Sequence, residues 1–62
     1  MFKLTYMFFD KIYETELETK EEILSLAMDV FEKNGQLLEI YEDSKLILSH
    51  SEIYQVLGKV YY

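Results

Sequence analysis

The sequence predicts an α+β domain of order β-β-α-β-β-α, a four-stranded antiparallel sheet of two hairpins with helices on one face. Three observations carry that prediction. Apolar residues alternate at period two through the first nineteen positions, and the period changes to that of a helix after Thr19. Alternation then returns after Gly35 and ends at a second helix-capping pattern, Ser49-His50-Ser51-Glu52.

From Phe2 to Phe9, Phe2, Leu4, Tyr6 and Phe8 fall on one side, and Lys3, Thr5, Met7 and Phe9 fall on the other. A strand with that period buries the first set. Asp10-Lys11 supplies a turn. The next run sets Tyr13, Thr15, Leu17 and Thr19 against Ile12, Glu14, Glu16 and Glu18. A glutamate side opposite a modestly apolar one suits an antiparallel sheet buried on one face.

Thr19-Lys20-Glu21-Glu22 has capping-box spacing, and Glu21 and Glu22 lie where a helix dipole favours negative charge. Ile23, Leu26, Ala27, Val30 and Phe31 then recur as one helix face, widened by Leu24 and Met28. Asp29 and Lys33 form an i,i+4 pair. Asn34-Gly35 ends the helix, with Gly35 expected in the left-handed position past its C-terminus.

Beyond it, Leu38 and Ile40 share a side, with Leu37 and Tyr41 opposite. Glu42-Asp43-Ser44-Lys45 has turn chemistry, and Leu46-Ile47-Leu48 follows as a short strand. Ile53, Val56, Leu57, Val60 and Tyr61 make a second helical stripe. Gly58 costs that helix about 1 kcal/mol against Ala, so a stop there competes with continuation, as does a terminal strand from Lys59 to Tyr62.

Composition bounds the function. Sixty-two residues make one small domain, spanning 1–62. A chain this short buries only about 60% of its unfolded surface, and without cysteine it has no disulfide or thiolate metal site to add stability. Half the residues are apolar and 16% aromatic, too hydrophobic for a disordered acidic tail. The net charge of −6 is uneven: residues 10–43 hold eleven of the twelve acids and three lysines, a net −8. Direct binding to nucleic acid or to an anionic membrane is therefore not expected, because both need clustered cations. No run approaches the roughly 18 apolar residues of a membrane span. The apolar opening ends at Asp10-Lys11 with no small-residue cleavage site, which argues against a signal peptide. Absence of cysteine fits a cytoplasmic protein. Positive charge carried by lysine alone, with much Ile, Tyr and Glu, suggests an AT-rich bacterial, phage or mobile-element coding sequence.

Chemistry-bearing patterns are few. His50, the single histidine, lies between Ser49 and Ser51, where a helix N-terminus explains it better than a hydrolase does. Glu14, Glu16 and Glu18 point one way on a strand but stand about 6.6–6.8 Å apart, too wide for strand neighbours alone to chelate a cation. Glu42 and Asp43 lack the spacing of a calcium loop, and two isolated glycines make no phosphate cradle. The expectation is no catalytic residue, no cofactor, no metal and no small-molecule substrate.

What remains is surface. Ten Phe and Tyr residues exceed what a small core needs, and aromatics are enriched at interfaces. The sequence therefore predicts a small acidic, non-catalytic protein-interaction module, bound to a protein partner or to itself as a homo-oligomer. Glu14, Glu16, Glu18, Glu21, Tyr41, Tyr54 and Tyr61 are its candidate interaction surface. The alternative is an inhibitor that mimics nucleic acid, with Glu21, Glu22, Asp29 and Glu32 extending the strand glutamates into a row of negative charge that competes for a basic groove.

Overall fold

The computed structural model describes residues 1–58. Two antiparallel hairpins each lead into a helix: β1 (Phe2–Phe8), β2 (Lys11–Leu17), α1 (Lys20–Glu32), β3 (Gln36–Glu42), β4 (Lys45–Leu48) and α2 (His50–Leu57). One sheet in the order β2-β1-β3-β4 unites all four strands, with β1 and β3 central. The fold is thus the expected α+β arrangement. Both helices pack on one face: Ile23, Ala27 and Val30 from α1, and Ile53 and Tyr54 from α2, share a core with Leu4, Leu37 and Ile40 from the sheet.

The turns explain how the hairpins close. Phe8 pairs with Lys11, so the first loop is Phe9-Asp10, one position earlier than the expected Asp10-Lys11. Glu42 pairs with Lys45 across Asp43-Ser44, whose φ angles of 49° and 71° match a two-residue type I′ turn. Asp and Ser tolerate these angles because their short side chains bond to nearby backbone.

Three further expectations are corrected. Thr5 pairs with Glu39 but Tyr6 pairs with Leu37, so Leu38 is an extra residue bulged out of β3. The bulge breaks the period of two. Leu37 and Ile40 both reach the core at 0% exposure, where simple alternation puts them on opposite sides. A second shift, between Ile40–Leu48 and Tyr41–Leu46, makes Ile47 the extra residue of β4.

The second correction concerns the end of α1. Asn34, not Gly35, occupies the left-handed region, at φ 66°. The Gly35 amide donates to the Val30 carbonyl at 2.8 Å and the Asn34 amide to that of Phe31 at 3.1 Å, the paired bonds of a Schellman motif. Gly35 is needed for room instead. A Cβ there would stand 2.5 Å from Val30 Cγ1 and 2.8 Å from the Phe8 ring.

The third concerns the buried side of α2, which stops at Gly58, one of the endings expected, in a left-handed conformation, φ 70°. Its buried residues are Ile53 and Tyr54, whereas Val56, expected in the stripe, is half exposed. Tyr54 turns inward because its hydroxyl accepts the Leu37 amide at 3.2 Å, satisfying a buried donor beside the bulge. Its ring meets Phe31 edge-on at 5.7 Å. The extension of the stripe to Val60 and Tyr61, and the competing strand from Lys59 to Tyr62, lie outside the described residues.

Capping follows the expected pattern. The Glu22 amide donates to Thr19 Oγ1 and the Thr19 amide to Glu22 Oε1, each at 3.2 Å. At α2 the Ser49 amide donates to Glu52 Oε1 at 2.8 Å. That bond and a second from the Ser49 side chain hold the Glu52 carboxyl below its ordinary range, against a smaller opposing effect of burial. Lys33 lies 3.4 Å from Asp29, but both are well exposed, so the pair adds little.

Candidate protein-interaction surface

Both helices lie on one side of the four-stranded sheet, and among the described residues no element packs on the other side. Alternation assigns its occupants: Lys3, Thr5 and Met7 from β1, Ile12, Glu14 and Glu16 from β2, and, by register with β1, Gln36, Glu39 and Tyr41 from β3. Leu46 pairs with Tyr41 and continues the face onto β4. The middle of the face is polar and interlinked. The Tyr41 hydroxyl donates to Glu39 Oε1 at 2.7 Å, and Lys3 Nζ lies 5.0 Å from the Tyr41 ring centre and 3.8 Å from Glu14 Oε2. Thr5 Oγ1 donates to the Glu39 carbonyl at 3.1 Å. The Tyr41 phenol is held above its ordinary pKa, first because its O–H donates a hydrogen bond to Glu39, then by partial burial and the negative charges of Glu39 and Glu14. Apolar groups flank this middle: Ile12 is 65% exposed and Leu46 is 48% exposed.

The tip of the first hairpin adds aromatics. Tyr6 stacks on Tyr13 at 5.7 Å, and Phe8 meets both edge-on. Phe9 projects beyond them, 95% exposed, with φ 56°. The left-handed region is uncommon for a bulky side chain, and glycine is the usual first residue of a two-residue turn opening at positive φ. Phe9→Gly is therefore expected to raise stability by about 0.5–1 kcal/mol, the relieved strain outweighing the entropy of the freer unfolded chain. Thermal unfolding checks this: a midpoint unchanged or lowered contradicts it.

The candidate residues named from the sequence divide. Glu14, Glu16 and half-buried Tyr41 share the bare face, with both glutamates exposed. Glu18 lies between β2 and α1, and Glu21 lies in the first turn of α1. Tyr54 is removed from the surface, at 7% exposure. Tyr61 lies outside the described residues. Glu21, Glu22, Asp29 and Glu32 belong to α1, which packs on the opposite face of the sheet. Phe9, one of the aromatics that the sequence leaves over for the surface, is exposed in the turn of the first hairpin, on a left-handed backbone.

Chemistry elsewhere is sparse. Ser49 is the N-cap of α2 and His50 its first residue, as expected for a helix start. Among the described residues, no group of three or more His, Asp or Glu side chains could hold a metal ion, and no helix is long and apolar enough to cross a membrane. Compared with known proteins, the chain matches no protein family, no curated protein and no solved structure.

Proposed function

We propose that this chain is a small, non-catalytic protein-interaction module of the cytoplasm, bacterial or phage in origin, whose working surface is the bare sheet face together with the tip of the first hairpin. The observation that carries the reading is Phe9. A large apolar side chain stands almost wholly in water, on a backbone conformation that penalises it, in the turn that leads into exposed Ile12 and Tyr13 of β2. Strain combined with exposed apolar area has no benefit for the isolated domain, and both are relieved or used when a partner covers them. Aromatics and Met are the side chains that interface cores favour. The occupant is a protein partner or a second copy of the chain.

Site-specific photo-crosslinking tests this in the cells that express the protein. A photoreactive residue replacing Ile12 should give a discrete adduct, and the same residue replacing Asp29 on the outer side of α1 should not. An adduct of twice the chain mass identifies self-association. No adduct at position 12, or equal labelling at both positions, overturns the reading.

A further inference from the structure

The two edges of the sheet differ in how receptive they are. β4 is four residues long and carries the Ile47 bulge, two features that discourage a further strand. β2 has seven residues in unbroken register with β1, contains no proline, and among the described residues no strand pairs with its outer side. Its residues from Lys11 to Glu14 are all exposed. Such an edge presents unpaired N–H and C=O groups to whatever strand can match its side chains.

Charge decides which strand matches. On the bare face β2 displays Ile12, Glu14 and Glu16, and the flanking Asp10 and Glu18 add two acids. Two-fold antiparallel pairing of β2 with a second copy aligns residues whose numbers sum to a constant even value. Every such register centred on residues 12 to 16 sets one acid among Asp10, Glu14, Glu16 and Glu18 directly against another. Lys3 offsets Glu14 across the sheet, at 3.8 Å, and does not reach the outer edge, where β1 is absent. A second copy is thus disfavoured at this edge, and an extended segment with cations at alternate positions is favoured.

Resting on the interaction-module reading, we infer that the outer edge of β2 accepts an extended, basic segment of another protein as a fifth strand. Lysine or arginine at alternate positions of that strand meets Glu14 and Glu16, and an apolar residue at the next position on the same side meets Ile12. Backbone bonds along β2 supply affinity, and the glutamates select the partner.

The test uses the full chain and two synthetic peptides of about eight residues, one alternating Lys and Val, the other Glu and Val. Backbone amide spectra should show the Lys-Val peptide shifting residues 11–17 and leaving β4 unmoved. Binding should weaken as salt rises from about 50 to about 500 mM. Replacing Glu14 and Glu16 together by Gln should raise the dissociation constant at least about three-fold, and because both side chains are exposed the variant should fold. The Glu-Val peptide should not bind. No binding of the Lys-Val peptide, equal binding of both peptides, or shifts confined to β4 or to the middle of the face would overturn the edge assignment while leaving the crosslinking result at position 12 intact. Shifts of β2 that depend on protein concentration alone identify a second copy as the occupant and overturn it as well.

Discussion

Leu4→Ala should remove about 2–5 kcal/mol, the range for deleting a buried leucine side chain in a well-packed core. Leu4 is 0% exposed on the central strand β1, in register with Thr15 of β2 and Ile40 of β3, and it shares the core with residues of both helices. The fold has little reserve. At 0.05–0.15 kcal/mol per residue, 62 residues have a stability of about 3–9 kcal/mol, so this one truncation removes a large part of the whole. The matching truncation on the bare face, Ile12→Ala, should change stability by less than about 0.5 kcal/mol. Urea unfolding of the two variants checks both. Similar losses at positions 4 and 12 would contradict the one-sided core.

The second large effect is expected at Gly35, where alanine should cost about 1–3 kcal/mol through overpacking. Val30 Cγ1 belongs to a stiff, β-branched side chain that cannot swing away, and the Phe8 ring closes the other side. Restricting the unfolded chain returns only about 0.4–1 kcal/mol, so destabilisation prevails. The companion change Asn34→Gly should be neutral or slightly stabilising, because position 34 holds the left-handed backbone. If Gly35 were there for its backbone freedom, the sensitivities would be reversed. Denaturant midpoints of G35A and N34G separate the two explanations.

That pair shows where the sequence stops being legible. Asn-Gly announces the end of a helix, but both residues tolerate positive φ, and the composition of the dipeptide does not say which one adopts it. The choice is made by packing of Phe8 and Val30, residues 27 and 5 positions away. The same holds for β3. Leu37-Leu38-Glu39-Ile40 contains apolar residues at both parities, so the period of two is ambiguous, and the Leu38 bulge is decided by pairing with β1. Elements with clean periods and local caps were legible: β1, β2 and α1 follow from alternation, the Thr19–Glu22 reciprocal bonds and one helical stripe.

The candidate surface was legible to the same degree. Alternation alone places Glu14 and Glu16 together on one side of β2, and the structure leaves that side bare. Tyr54 could not be assigned by spacing, since its burial depends on one hydroxyl meeting the Leu37 amide. Phe9 looked like the last residue of an alternating strand. Its role at the tip depends on the turn closing one residue earlier, which lifts it out of the sheet into solvent.

The central claim is that the helices cover one face of the sheet and leave the other, with its apolar groups, for a partner. Methyl spectra of the dilute protein with a soluble paramagnetic agent address it most directly. Strong broadening of the Ile12 methyls, 65% exposed, is expected, with little effect on Ile23, Ile40 and Ile53, all at 0%. Protection of Ile12 equal to that of Ile40 would contradict it.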